Sequence, residues 1–250
     1  ESWEGDSWMG RLGANAWPFY FTVDRERDQL YIPLASPIPF GYGGDRAGSN
    51  LYANSVVAVN IHSGEYDWHF QTIHHDLWDH DPPAPPTLFD VSYNGRIIPS
   101  LGVTTKSGYL YVLDRETGEP VYGVEERVVP QSEVPGEETF ATQPIPIRPA
   151  PLARVSYDAS ELVTAQDTSA EHANSCRELV NSIGSIYNAG PFTPWTYRPD
   201  GRDGQTTLLF PGLAGGPNWG GIAHSPNNGY VYVFAADIGT FGWMEDSEPG

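Results

Sequence analysis

Cysteine, lysine and long apolar runs are all scarce in this chain. One cysteine, Cys176, among 250 residues excludes an internal disulfide. It says little about compartment, because proteins of this size outside the cytoplasm can lack disulfides. Only 13 residues are Lys or Arg against 32 Asp or Glu, a net charge of -19. A duplex-binding protein displaces counterions with a basic surface, so nucleic acid is not an expected partner. An anionic membrane surface would repel the chain as well. No apolar run approaches the ~20 residues that span a bilayer. The chain starts Glu1-Ser2-Trp3, with neither an initiator Met nor a signal peptide, and reads as processed or cut from something longer.

What is abundant is turn formers and rings. There are 27 Gly and 23 Pro, aromatics make up 13%, and charged residues only 18%, against ~25% in an ordinary soluble domain. Many reversals and many rings with few charges describe an all-β chain. Short β-like runs end in turn signals almost throughout. Phe19 to Val23 and Leu30 to Pro33 flank the polar stretch Asp24 to Gln29. Ser55 to Asn60 is followed by the turn Ile61 to Glu65 and the run Tyr66 to Thr72. Val91 to Leu101 holds Asn94-Gly95, a strong two-residue hairpin signal. Gly102 to Thr105 and Tyr109 to Leu113 flank Lys106-Ser107-Gly108. Ile222 to His224 and Tyr230 to Phe234 flank Ser225 to Gly229.

A weak repeat is present. Ala58 to Trp68 has the form A-x-N-x-x-x-G-x-x-x-W, and Val112 to Tyr122 repeats it with a different ring at the last place. Strand, Gly turn, strand and packing ring are the ingredients of a propeller blade, although a sandwich or barrel uses them too. Pro130 to Ala150 is Pro-rich and reads as extended. Asp158 to Gly184 is the one helical zone: Asp158 can cap Ala159 to Ala165, and Ser169 a helix through Leu179, stopped at Gly184. Cys176 falls on that helix and reads as a small buried apolar residue.

The densest chemistry is His74-His75-Asp76-Leu77-Trp78-Asp79-His80-Asp81. On residue types alone three readings stay open: a metal site using His and Asp, a buried Asp acting as general base, or a polar loop whose side chains cap turns. No second ligand cluster appears, which counts against zinc and against a hydrolase built on His74, His75 and His80. Lys106 is the only lysine and sits in a tight reversal, which is either a functional placement or chance in a lysine-poor chain. Trp17 follows Gly13-Ala14-Asn15-Ala16, and Trp219 lies within Gly215 to Gly221. Such glycines admit a flat ligand or another backbone, or the rings simply seal two sheets.

These segments resemble the pyrroloquinoline quinone (PQQ)-dependent dehydrogenases, eight-bladed quinoproteins, and within them the glucose dehydrogenase-like branch. Gly13 to Trp17, Trp68 to Thr72 running into His74 to Asp81, Pro85 to Leu88, Thr105 to Gly108 with Leu113 to Arg115, and Gly215 to Gly221 carry the likeness in order. The Ala58 to Trp68 repeat resembles the family's tryptophan-docking motif, with Asn60 and Glu65 in place of the usual Asp and Lys. The resemblance implies roles. Asp79 is the general base for the substrate hydroxyl, with hydride passing to PQQ. Lys106 is the cation at the quinone oxygens, Trp17 the indole stacked on the cofactor, and Asn218, beside Trp219, a polar contact to it. It implies Ca2+ or another hard cation, leaves a lanthanide open, and gives Asp79, Asp81 and Ser36 as metal positions. Ser36 stands where the family usually has Asn, and a hydroxyl is a weaker ligand for a hard cation.

The implied architecture is a partial propeller over residues 1–250, roughly four of eight blades, with an extended and helical insertion at 124–200. The implied function is oxidation of a sugar, polyol or alcohol. Electrons would pass to a quinone or a separate cytochrome, because no C-x-x-C-H haem site occurs here. The implied location is periplasmic or extracellular, with the missing propeller half as a partner. The competing expectation is a non-catalytic binding or structural propeller.

Overall fold

A computed structural model describes residues 2–10, 15–17, 20–202 and 204–246. Among the described residues the regular structure is mostly strand, in short pieces joined by long loops, with one 3-10 turn and one α-helix. The first sheet is a four-stranded meander, in which β1 (Thr22–Asp24), β2 (Gln29–Pro33), β3 (Ser55–Asn60) and β4 (Tyr66–Gln71) pair in chain order, all antiparallel. Alternation drives it: in β2 the burial runs buried, intermediate, buried, so Tyr31 faces the core. The expected β1 run extends back to Phe19, which lies outside the described residues.

The second sheet holds β5 (Thr87–Tyr93), β6 (Arg96–Thr104) and β7 (Leu110–Asp114), again antiparallel. Asn94 and Gly95 turn β5 into β6 with φ of 51° and 75°, the pair of positive angles that a type I′ hairpin demands. A bridge from Leu113 to Pro120 starts a fourth position on this sheet.

Beyond it the regularity fades. β8 (Val124–Val128) pairs with β9 (Thr142–Pro146), and Pro144 and Pro146 deprive β9 of N–H donors for a further strand. β10 (Ser185–Tyr187), β11 (Gln205–Leu209) and β14 (Thr240–Gly242) form a three-stranded sheet, and β12 (Pro217–Ser225) pairs with β13 (Tyr230–Ala235). The expectation of four-stranded antiparallel blades is met in full by the first sheet alone. The later sheets have two or three strands, and β10 runs parallel to β11.

The helical zone also departs from expectation. Asp158 caps only a 3-10 turn, Ala159–Glu161, because the backbone is already extended at Leu162. Thr164 then bonds Asp167 through both its N–H and its hydroxyl, closing a separate local turn. Ser169 does cap α1 (Ala170–Ser182), its hydroxyl accepting from the His172 N–H. Only Ala173 of α1 is buried, and Cys176 is half-buried and free.

Adjacent sheets are joined by a ring. Trp68 is buried, donates its indole N–H to the Arg115 carbonyl at 3.1 Å, and lies 5.6 Å from the Tyr31 ring. A Cβ on Gly118 would come within 2.5 Å of the indole, so only glycine allows this approach. The Tyr31 hydroxyl donates to the same Arg115 carbonyl. The Arg115 guanidinium meets Asp24 at 3.0 Å and Asp90 at 2.7 Å. The turn after β7 is thereby fastened to the first sheet through rings, hydrogen bonds and charge together. Behind these sheets Leu101, Val103, Tyr111, Leu113, Trp78, Phe192 and Trp195 make one core cluster.

Two outcomes follow from these contacts. Trp68→Ala should lower stability by about 3–5 kcal/mol, as loss of a large buried ring does. Trp68→Phe should cost less, because it keeps a ring and loses the bond to Arg115. Chemical denaturation checks both, and an unchanged midpoint for Trp68→Ala would refute the joint. The second outcome concerns His75, which is 3% exposed and gives its Nδ1 to the Gly48 carbonyl at 2.8 Å. Burial, helped by Arg46, pushes its imidazole down from 6.5 to about 4. The unfolded chain therefore takes up a proton that the folded chain refuses. The His75 contribution to stability should fall by about 3 kcal/mol as pH drops through that window. Asp79, raised to about 6, contributes with the opposite sign, so the His75 contribution is read as the difference in denaturation midpoint between the native chain and His75→Gln. That difference should shift across the window, and a constant difference would refute it.

Candidate active site

The loop between β4 and β5 carries the His and Asp string, and one buried carboxylate shapes it. Asp76, 1% exposed, accepts the Trp78 N–H at 2.8 Å on one oxygen and the His80 N–H at 3.0 Å on the other. Ser36 Oγ and Asn54 Nδ2 also donate to that second oxygen. Asp79, between the two tethered amides, has a φ of 59°, a left-handed conformation that costs a non-glycine residue roughly 1 kcal/mol or more. Its carboxylate points away from Asp76, toward Lys106.

Lys106 arrives on the reversal between β6 and β7, where Gly108 supplies a φ of 90°. Its backbone is clamped on both sides: its N–H donates to the Asp81 carbonyl at 3.1 Å, and its carbonyl accepts from the Gly216 N–H at 2.9 Å. Gly215 lies so close that a Cβ there would be 2.5 Å from the Lys106 side chain. The ammonium is 2.9 Å from Asp79 Oδ2 and 2.9 Å from Asp81 Oδ1. Trp17 completes the group by donating its indole N–H to Asp81 Oδ2 at 2.9 Å, and its ring centroid is 6.0 Å from the ammonium. Trp219 meets Trp17 edge to face at 5.6 Å and is 59% exposed. Asn218 is tied locally, donating to the Ala214 carbonyl at 2.7 Å and accepting from the Trp219 N–H at 2.8 Å.

Burial sets the charges here. It pushes the Asp79 carboxyl up to about 6 in spite of Lys106, whose hydrogen bond and charge pull the other way. Burial also raises Asp81, again opposed by Lys106. Burial disfavours the Lys106 ammonium, but the Asp81 charge and the Asp79 hydrogen bond outweigh it, so that ammonium is held above its ordinary value. A carboxylate poised near neutrality beside a firmly charged cation suits proton abstraction from a hydroxyl. An ammonium has three N–H donors; one is given to Asp79, and Asp81 meets the ammonium as an ion pair.

A flat, anionic quinone fits these residues. The spare ammonium N–H, the Trp17 indole and the second N–H of Asn218 match its carbonyl oxygens, its ring face and its polar edge. A hard cation does not fit among the described residues. Two carboxylates fall short of the six to eight oxygens that Ca2+ takes, and the Lys106 ammonium already bridges them. Ser36 gives its hydroxyl to Asp76 and is not part of the Asp79–Asp81 pair. No group of three or more His, Cys, Asp or Glu among the described residues could hold a metal. The three histidines diverge: His74 meets Gln71 and Glu126, His75 the Gly48 carbonyl, and His80 the Gly212 carbonyl.

The structure thus brings Asp79, Asp81, Lys106, Trp17 and Trp219 together and sets Asn218 beside them. Gly13 and Ala14 of the Trp17 motif lie outside the described residues. The sequence reading left Asp76 without a role although it sits inside the string. It also missed Asn54, which no motif marks. A brace from the later chain was likewise illegible: Trp78 donates to the Thr193 carbonyl at 2.8 Å, and Trp195 donates to the Leu77 carbonyl at 3.0 Å.

Comparison with known proteins agrees with this geometry. Residues 1–250 match the PQQ family described as glucose/ethanol/alcohol dehydrogenase, beta-propeller domain. The quinoprotein glucose dehydrogenase of Gluconobacter oxydans (strain 621H) is 34% identical over 227 residues, 88% of this chain and 26% of that protein. The quinate/shikimate dehydrogenase (quinone) of Acinetobacter baylyi is 32% identical over 237 residues, 94% of this chain and 27% of that protein. The structure of quinohemoprotein alcohol dehydrogenase ADHIIG from Pseudomonas putida HK5 superposes with a TM-score of 0.58 at 25% identity, covering 94% of this chain and 27% of that one. The chain spans about a quarter of the length of these relatives. With the ammonium between two carboxylates and the paired indoles, the match over its whole length places this chain in the PQQ-dependent glucose/ethanol/alcohol dehydrogenase family, as part of its β-propeller domain.

Proposed function

We propose that the protein containing this chain oxidises the CH–OH group of a sugar, polyol or alcohol with PQQ as its cofactor. The observation that carries this reading is the Lys106 ammonium, 2.9 Å from both Asp79 and Asp81 beneath the Trp17 ring. Asp79 takes the hydroxyl proton onto its carboxylate, which burial has made more basic than an exposed one. Lys106 offers its remaining N–H to an oxygen on which negative charge grows, inside a site where water screens little. Asp81 keeps Lys106 in place from the other side while its second oxygen holds the Trp17 indole. Trp17 presents the apolar face against which a flat ring lies, and Trp219, turned 68° from it, borders that face. When bound, PQQ supplies the two-electron acceptor; the protein supplies position and charge.

The rest of the reading rests on the family. Electrons leave to a quinone or a cytochrome, and the protein works in the periplasm or outside the cell. No helix among the described residues is long and apolar enough to cross a membrane. The residues that complete the cofactor pocket and any Ca2+ or lanthanide site come from the remaining propeller blades. The 124–200 insertion braces the catalytic loop through Trp195.

Steady-state dye reduction by the PQQ-loaded protein, with bound PQQ quantified by absorbance, tests this. Asp79→Asn should keep PQQ and lose about 10²–10⁴-fold in turnover. Lys106→Ala should lose about 10²–10³-fold, as removal of an oxyanion donor does. Lys106→Arg should lose less, because the charge stays. Near-normal turnover by Asp79→Asn at full PQQ occupancy would assign the base to another group.

A further inference from the structure

Asp76 has no contact with Lys106 and no place in the proton path, yet more donors converge on it than on any other carboxylate of this loop. It is 1% exposed and receives the Trp78 and His80 amides, the Ser36 hydroxyl and the Asn54 amide. These donors come from the chain that follows β2, the residue that precedes β3, and the loop that follows β4. Asn54 is further locked, because its N–H donates to the Ala35 carbonyl and its own carbonyl accepts both the N–H and the hydroxyl of Thr72. The backbone carbonyl of Asp76 accepts from Arg46, which also donates to Asn50. Asp76 is therefore fixed from behind before it fixes anything in front.

What it fixes alternates along the loop. The amides of residues 78 and 80 turn in to Asp76, and the carboxylates of residues 79 and 81 turn out to Lys106. With both neighbours tethered, Asp79 is left at a φ of 59°. An untethered Asp would relax toward the extended or right-handed regions, carrying its carboxylate off the ammonium.

We propose that Asp76, completed by Ser36 and Asn54, is a positioning carboxylate that holds the 78–80 backbone in the one conformation that sets the Asp79 carboxylate against Lys106. This gives Ser36 a function that needs no metal: its hydroxyl is a donor to the anchor. The catalytic consequence rests on the dehydrogenase reading above. The geometric claim does not, so the test has two independent arms.

Lys106 is the only lysine of the chain, and its side chain is 7% exposed while both carboxylates cover it. In the PQQ-free protein, the rate of Lys106 acetylation by an N-hydroxysuccinimide ester, read by peptide mass spectrometry, reports whether Asp79 still covers the ammonium. Asp76→Asn puts an amide N–H where donors converge. It should speed Lys106 labelling severalfold at a nearly unchanged melting temperature. In the PQQ-loaded protein it should lower kcat by about 10²-fold with KM and PQQ occupancy little altered, the loss expected when a reacting group is misplaced by about 1 Å. Ser36→Ala removes one donor and leaves the carboxylate. It should give a smaller increase in labelling and a smaller loss of kcat, and it serves if Asp76→Asn does not fold. Unchanged Lys106 labelling in folded Asp76→Asn, or in Ser36→Ala when that is the variant that folds, would overturn the proposal. So would a parallel loss of melting temperature, KM and PQQ occupancy, which marks a merely structural residue. Faster labelling in a protein whose native form shows no PQQ-dependent turnover would leave the positioning claim standing and remove the dehydrogenase reading.

Discussion

The ammonium of Lys106 is the point on which this structure turns. It sits 2.9 Å from two carboxylates that belong to a loop on the neighbouring sheet connection. A buried and a half-buried carboxylate two residues apart repel each other and resist ionisation; one cation between them offsets much of that cost. Each partner constrains the others. Lys106 cannot leave without stranding Asp81, which is 1% exposed, and neither acid can move without uncovering a buried ammonium. The same three groups that are hardest to bury are the ones the proposed chemistry uses. That is the usual condition of a site where charge is held ready in a low dielectric.

Everything around the triad limits its motion. Backbone hydrogen bonds from Asp81 and Gly216 hold Lys106 at both ends of its peptide unit, and Gly215 packs along its stem. Asp76 gathers the amides on either side of Asp79. Trp78 and Trp195 exchange hydrogen bonds with the backbone of the opposite segment, so the 190s strap closes over the back of the loop. Further out, Trp68 and Arg115 join the first two sheets, so the strand turns that carry the acids and the lysine are held in one frame. A site built on turns can be this rigid because each turn is fastened to a different neighbour.

The face toward solvent is open in comparison. Trp219 is exposed on β12, and on β13 Tyr230, Tyr232 and Phe234 alternate outward. Rings on alternate positions of a strand form one surface. The loop is braced on several sides, while this ring-lined side is open to solvent.

The sequence by itself determined a good deal. Period-two alternation and Gly turns located β2, β3, β4, β7 and β13 to within a residue, because β pleating imposes that period wherever one face is buried; β8, β10, β11 and β14 carried no such signal. Asn94-Gly95 named its hairpin, since few residue pairs accept two positive φ angles. The Asp79 string, the solitary Lys106 and the glycine-flanked Trp17 and Trp219 marked the site through unusual residue types in unusual settings. Tertiary structure alone decided the rest. Ser36 reads in sequence as a metal position and in space as a donor to Asp76, because the loop after β2 delivers its hydroxyl to the anchor. Asn54 and Trp195 carry no local signal, since their roles consist of approaches between residues distant in the chain. The incomplete later sheets and the parallel β10–β11 pair were equally hidden: local pattern specifies that a segment is a strand, while its neighbour is chosen by whichever edge the folded chain brings alongside.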